Sequence, residues 1–168
     1  MDKSNALTIL KHAFLMERKG KSLYETAMNQ ADDENVKAFF KSLADDEQTH
    51  MDILEKQFKS YVNDGRFMAG GFENDAAKTE APDILDQALK ERITDAAGFE
   101  ATAITAAISF EEKAVQMYAK RAEESEDPEE KKLYHWLSTW EKTHLKKLQD
   151  LESSLMEQVW NDNNFWPF

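Results

Sequence analysis

The chain has 168 residues, enough for one domain with one core, and its 41% apolar and 11% aromatic residues can fill that core. Its formal net charge of −12 repels phosphate backbones, so the composition argues against nucleic acid as a partner. The absence of cysteine excludes disulfides, iron–sulfur clusters and thiolate metal sites, and 5 glycines with 3 prolines are few for a β-rich protein with many tight turns.

The first residues of the chain lack a basic segment followed by an apolar core, so we expect no secretory signal. No apolar run approaches the roughly 20 residues that a membrane span requires. These features predict a cytoplasmic protein without a membrane partner.

Apolar residues recur at helical spacing in the first third of the chain and predict two helices. The first spans about 5–31, with Ser4 as its predicted N-cap. The second spans about 34–63 and stops before Gly65, because an Asn-Asp-Gly sequence is typical of a helix C-terminus.

The second half of the chain begins with a crossover at about 64–97, in which a short helix is predicted to begin at Pro82. A third long helix is predicted over about 98–124, and a fourth over about 128–157, after a turn that ends in proline. The remaining residues, about 158–168, form an aromatic tail that we expect to be irregular and to pack on the bundle or on a neighbouring subunit.

These elements predict an all-α protein, a ferritin-like four-helix bundle that forms a single domain over residues 1–168. Short turns join antiparallel helices, so the first helix pairs with the second and the third with the fourth. A crossover of about 30 residues is long for a compact domain. It is explained if the second and third helices run parallel, because the connection must then return along the whole bundle.

The sequence matches itself without a gap after a shift of 94 residues, and 12 of the 47 pairs that begin within residues 8–54 are identical. The identical pairs include Glu17 with Glu111, Tyr24 with Tyr118, Glu47 with Glu141, and His50 with His144. This pattern indicates two copies of one helical hairpin.

The repeat places four glutamates in one layer of the bundle. Glu17 and Glu47 each lie about 15 residues from the first turn, roughly 22 Å along a helix, so they sit at the same level in an antiparallel pair. Each Glu-x-x-His lies on a stripe of leucines, which predicts burial. Buried carboxylates repel one another unless cations neutralise them, so we predict a metal site. The predicted ligands are Glu17, Glu47, His50, Glu111, Glu141 and His144.

At these residues the sequence resembles the ferritin-like di-iron carboxylate proteins, and most of all the rubrerythrin-related group. The segments that carry the resemblance are 17–24 and 40–50 in the first hairpin, and 111–118 and 140–144 in the second. The resemblance covers nearly the whole chain.

The resemblance implies a site for two iron ions, although manganese and zinc accept the same kinds of ligand. Glu47 and Glu141 would bridge the two metals, while Glu17 and Glu111 would be terminal ligands. One histidine would bind each metal.

The sequence departs from the family pattern in three ways. Rubrerythrins proper carry a rubredoxin domain with four cysteines, and this chain has none, so we expect a separate electron-donor protein. They also carry an extra glutamate one turn after the third-helix ligand, where this chain has Ala114. Gln48 stands where bacterioferritins usually have a haem-binding methionine, so we expect no haem.

Several other polar and aromatic residues near the motifs are not predicted to be metal ligands. The resemblance implies that Tyr24 and Tyr118 donate hydrogen bonds to a carboxylate on another helix, and the alternative is that they are core tyrosines. Glu112 points away from its neighbour Glu111 and is predicted to be solvated. His12 and His135 are interpreted as surface or structural histidines. Trp136 and Trp140 are interpreted as aromatic core or interface residues, with packing near the site as the alternative.

Three functions are compatible with this sequence. The first is a redox enzyme of oxidative stress that reduces hydrogen peroxide, or dioxygen, with electrons from the external donor. The second is a ferroxidase or iron-storage protein, and the third is a non-redox metal-binding module. We expect the protein to form a homodimer or a higher homo-oligomer.

Overall fold

The computed structural model describes residues 3–32, 34–72 and 99–162 of the chain. This described part contains four helices and no strand, and it has the predicted all-α ferritin-like four-helix bundle fold. The helices are α1 at Lys3–Gln30, α2 at Glu34–Asp64, α3 at Phe99–Glu124 and α4 at Pro128–Asp162. α1 packs along α2 and α3 along α4, while α1 also contacts α3.

The first hairpin agrees closely with the predicted helices except at its start. α1 begins at Lys3, so Ser4 lies within the first turn and the prediction that it is the N-cap was wrong. A capping side chain must come from the residue that precedes the helix. At the end of α2, Gly65 has a φ of 71° and its N–H donates to the carbonyl of Tyr61 at 3.1 Å. Glycine ends the helix here because it adopts the left-handed conformation without strain.

The second turn is held by side chains of its own sequence. Asp127 is the N-cap of α4, and its Oδ1 accepts the N–H of Glu130 at 3.1 Å. The buried carboxylate of Glu130 accepts hydrogen bonds from Arg121 and Ser125, each at 2.6 Å, so its charge is paired. At its other end α4 continues to Asp162, beyond the end predicted near residue 157, because no glycine or proline interrupts the sequence before Pro167.

Two apolar clusters fill the described part of the bundle, with a polar layer between them. The first-turn cluster includes Tyr24, Phe39, Phe40, Leu43, Ile104, Ala107, Leu148 and Leu151. The second-turn cluster includes Leu10, Ile53, Leu54, Phe72, Ala114, Tyr118, Leu133, Tyr134 and Leu137. Along α1 and α4 the chain passes from the second-turn cluster to the first-turn cluster, and along α2 and α3 it passes the other way. α2 and α3 therefore run parallel, as the long crossover requires.

The described start of the crossover folds back along α2. The N–H of Met68 donates to Gln57 Oε1 at 2.9 Å, and Gln57 Nε2 donates to the carbonyl of Met68 at 3.2 Å. Phe67 and Phe72 are then buried in the second-turn cluster. The short helix predicted at Pro82 and residues 163–168 of the predicted tail lie outside the described residues. Across the described helices, none combines the length and the apolar character that a membrane crossing demands.

Candidate metal centre

The polar layer between the two clusters contains all six residues that the sequence predicted as ligands. Each of them is at most 1% exposed. One glutamate comes from α1 and one from α3, and a glutamate with a histidine one turn later comes from each of α2 and α4. By helix, they are Glu17, then Glu47 and His50, then Glu111, then Glu141 and His144. The helical period turns these side chains inward because they continue the apolar stripes of the two clusters.

These residues form two overlapping groups of four that could each hold a metal ion. Within each group, one ligand atom per residue lies within 4.8 Å of the others. The first group is Glu17, Glu47, His50 and Glu141, and the second is Glu47, Glu111, Glu141 and His144. Glu47 and Glu141 belong to both groups, so they are placed where a carboxylate could contact two ions.

The histidines point their Nδ1 atoms at the carboxylates. His50 Nδ1 lies 3.0 Å from Glu17 Oε2 and 2.9 Å from Glu141 Oε1. His144 Nδ1 lies 3.0 Å from Glu141 Oε2. Both rings therefore present the same nitrogen to the centre of the bundle.

Several buried oxygens of this layer have no hydrogen-bond partner among the described residues. They are both carboxylate oxygens of Glu47 and Oε2 of Glu111. A buried carboxylate without a partner is strongly destabilising. A divalent cation would satisfy these atoms, and a set of carboxylates with one imidazole per ion suits iron, manganese or zinc. The residues present therefore fit a metal centre.

Without a metal, protons compensate for the clustered carboxylates. Burial raises the pKa of Glu47 well above its ordinary value, and the charges of Glu141 and Glu17 raise it further. Burial and the charge of Glu141 raise the pKa of Glu111 to about 7. Burial alone would lower the pKa of His50, but the carboxylates of Glu141 and Glu17 outweigh it and raise that pKa to about 10.

Burial and the neighbouring charged groups also have opposite effects on the pKa values of His144 and Glu141. Burial alone would lower the pKa of His144, but its hydrogen bonds to Asp46, Glu111 and Glu141 raise that pKa well above the ordinary value. Burial alone would raise the pKa of Glu141, but the adjacent histidines, His50 first, lower it. A metal ion that binds here must therefore displace protons from the histidines and from part of the carboxylates.

A family model for rubrerythrin matches residues 8–152 of the chain. The chain belongs to the rubrerythrin family. The matched segment includes the whole polar layer, and the family suggests a di-iron carboxylate protein. No curated protein and no solved structure matches the chain significantly.

The repeat places a tyrosine at the same position in each half of this rubrerythrin-family chain. These two tyrosines connect the hairpins. Tyr24 on α1 donates its hydroxyl hydrogen to Glu111 on α3, and Tyr118 on α3 donates to Glu17 on α1. Both tyrosines are fully buried. Each tyrosine therefore donates a hydrogen bond to a glutamate of the other hairpin, a contact that the family resemblance implied.

We expect Tyr118→Phe to lower the unfolding free energy of the metal-free protein by about 1–3 kcal/mol, because Glu17 loses a buried donor. Tyr134→Phe is the matched control: the ring of Tyr134 stacks on Tyr118 with centroids 5.9 Å apart, and its buried hydroxyl has no partner among the described residues. We expect that change to be neutral or to stabilise by up to about 1 kcal/mol. Urea denaturation measures both, and equal losses would contradict the role given to the hydrogen bond.

Gly20 and Ala114 occupy matching positions one turn after Glu17 and Glu111. A Cβ atom at Gly20 would lie 2.8 Å from Phe110 Cε1 and 3.2 Å from Glu47 Cδ, so glycine allows α1 to approach Glu47 closely. Ala114 is buried in the second-turn cluster, where rubrerythrins carry their additional glutamate. Sequence reasoning missed Gly20, although an isolated glycine inside a helical pattern is a signal of close approach.

Asp46 is a second residue that the sequence analysis missed. It is 3% exposed, and its Oδ2 lies 3.0 Å from His144 Nε2. A signal was available, because Asp46 lies three residues after Leu43 and four before His50, on the same inward stripe.

Both tryptophans pack beside the centre, which is the alternative that the sequence left open. Aromatic core or interface was the preferred interpretation of Trp136 and Trp140, and both rings pack on His50, with centroids 5.5 and 5.4 Å away. Periodicity could not reveal this contact, because it joins α4 to α2 across the two hairpins.

The other residues considered in the sequence lie outside the polar layer. His12, His135 and Glu112 are exposed, in agreement with their interpretation as surface residues. Gln48, at the position of the haem methionine in bacterioferritins, accepts a hydrogen bond from Lys21 and donates one to Asp52, both at 2.7 Å.

Proposed function

We propose that this rubrerythrin-family protein is a di-iron oxidoreductase that reduces hydrogen peroxide with electrons from a separate donor protein. The observation that carries the proposal is the pair of buried four-residue groups that share Glu47 and Glu141. We assign these two glutamates as bridging ligands and Glu17 and Glu111 as terminal ligands. Each histidine would bind one metal through Nδ1.

The bound iron pair would supply the two electrons that, with two protons, convert one peroxide molecule to two water molecules. Four carboxylate ligands favour peroxide reduction by the iron pair, because they stabilise the higher charge of the oxidised ions. The apolar clusters on both sides exclude bulk water from the layer. In such a region the attraction between carboxylates and cations is strong.

The residues around the ligands support the same function by restricting their movement. Tyr24 and Tyr118 hold the terminal glutamates by hydrogen bonds from the opposite hairpin. Hydrogen bonds of this kind orient metal ligands and are important for affinity. The near two-fold arrangement of the ligand residues presents two adjacent metal positions to one small oxidant.

The electron donor and the oligomeric state are parts of the proposal that rest on the sequence. None of the 168 residues is a cysteine, so these residues hold no rubredoxin-type iron, and the proposal assigns electron delivery to a donor outside them. The family match supports the proposed homodimer or higher homo-oligomer, because the rubrerythrin family suggests an oligomeric state.

The test is stopped-flow oxidation of the anaerobic di-ferrous protein by hydrogen peroxide and by dioxygen at matched concentrations. We expect the peroxide reaction to be faster, and we expect it to proceed even though Ala114 replaces the additional glutamate of rubrerythrins. The zinc-loaded protein is the control, because zinc has no redox chemistry.

Each other outcome contradicts peroxide reduction in a different way. Dioxygen reacting at least as fast as peroxide would favour the ferroxidase or iron-storage function. Iron that binds with the expected stoichiometry but reacts with neither oxidant would favour a non-redox metal-binding module.

A further inference from the structure

The two histidines of the polar layer have different neighbours on the side that faces away from the centre. His144 Nε2 lies 3.0 Å from Asp46 Oδ2, and it donates to that oxygen when Nδ1 binds a metal, because the ring hydrogen is then on Nε2. His50 Nε2 is also buried, but it has no hydrogen-bond partner within the described part of the chain.

The difference arises at one pair of matching positions in the repeat. The shift of 94 residues that aligns His50 with His144 also aligns Asp46 with Trp140. The structure keeps this correspondence, because Asp46 contacts His144 and Trp140 packs on His50 with an interplanar angle of 89°. One histidine is thus backed by a carboxylate and the other by an indole ring.

The two candidate metal positions have the same kinds of ligand residue. Both positions share Glu47 and Glu141, and each adds one terminal glutamate and one histidine. Each terminal glutamate accepts a hydrogen bond from one buried tyrosine of the opposite hairpin. Asp46 and Trp140 are therefore the matching pair through which the hydrogen bonding of the two histidines differs.

A carboxylate behind a metal-binding histidine fixes the orientation and tautomer of the ring and makes the binding nitrogen more basic. An indole ring packs against a histidine without accepting its Nε2 hydrogen in this way. We propose that the two metal positions are inequivalent, and that Asp46 is a positioning residue that makes the position at His144 the tighter one. The inference rests on the proposed function, because it requires that both four-residue groups bind metal.

The test is a titration of the metal-free full-length protein with Co²⁺, in which calorimetry and visible absorbance measure the binding. We expect the unsubstituted protein to bind Co²⁺ in two steps whose affinities differ by about 10- to 100-fold. His50→Ala is expected to retain the tighter step, and His144→Ala the weaker one.

Asp46→Ala is then combined with each histidine variant. In the His50→Ala protein, Asp46→Ala should weaken Co²⁺ binding by about 10- to 100-fold, whereas in the His144→Ala protein it should change binding by no more than about twofold. Asp46→Asn should restore part of the loss, because its amide oxygen still accepts the Nε2 hydrogen. Asp45→Asn is the matched control, since Asp45 is the adjacent, exposed residue and pairs with Lys41 on the surface.

The outcomes separate this inference from the proposed function. Two equal affinities in the unsubstituted protein, or an equal effect of Asp46→Ala in both histidine backgrounds, would overturn the role of Asp46 while leaving the metal site in place. Failure of the unsubstituted protein to bind Co²⁺ would overturn the proposed function and the inference together.

Discussion

Replacing either Glu47 or Glu141 with alanine is expected to lower the metal content of the protein from two ions per chain to at most one. Both glutamates belong to both four-residue groups, so removing one of them deprives each position of a ligand. Removing His50 or His144 deprives only one group of a ligand, and the other position should stay occupied. The glutamate variants should therefore lose more metal than the histidine variants.

Metal content per chain after iron loading and gel filtration measures this effect. Glu112→Ala is the control, because Glu112 is adjacent to Glu111 but exposed, and it should retain two ions. Circular dichroism should show the same helix content in every variant. Two full equivalents retained by Glu47→Ala or Glu141→Ala would show that neither of these carboxylates is the required bridge.

Removal of the metal is expected to leave a folded but less stable protein. Ligands that bind only the folded state stabilise it by mass action, by about 2.7 kcal/mol per site at 100 times the dissociation constant. For a chain of this size, two occupied sites should raise the melting temperature by roughly 10–20 °C. Chelation should lower it again by the same amount.

This stabilisation by metal is expected to grow with pH. Burial raises the pKa of Glu111 from 4.5 to about 7, so its contribution to stability is fully present below pH 4.5 and is lost as pH rises through 7. Burial alone would lower the pKa of His50, but Glu141 and Glu17 raise that pKa from 6.5 to about 10. The contribution of His50 to stability is therefore fully present below pH 6.5 and is lost as pH rises through 10. Glu141, whose lowered pKa acts in the opposite direction, matters only as pH falls below 4.5.

The metal-free protein should therefore melt at a lower temperature at pH 8 than at pH 5. The melting temperature of the metal-loaded protein should fall less between these pH values, because the cations replace the protons that the polar layer releases. Differential scanning calorimetry at both pH values, with and without chelator, measures the two differences. A melting temperature that chelation leaves unchanged would show that the carboxylates do not form a metal-dependent cluster.

The helices could be predicted closely because their signals are local. The stop at Gly65 and the start after Asp127 rest on capping chemistry that involves only neighbouring residues. The errors also lie at helix ends, at Ser4 and near residue 157, where the periodic pattern weakens and several adjacent residues can take the terminal position.

By itself, the sequence determined which six side chains face the centre of the bundle and at what level they lie. Helical period sets the face, and equal distance from a turn sets the level, so Glu17 meets Glu47 without any knowledge of the other hairpin. The tertiary structure alone decided which residues meet across the hairpins, such as Tyr24 with Glu111, and Asp46 with His144. Such contacts depend on how far the two hairpins rotate and shift against each other, and the packing of both apolar clusters sets that arrangement.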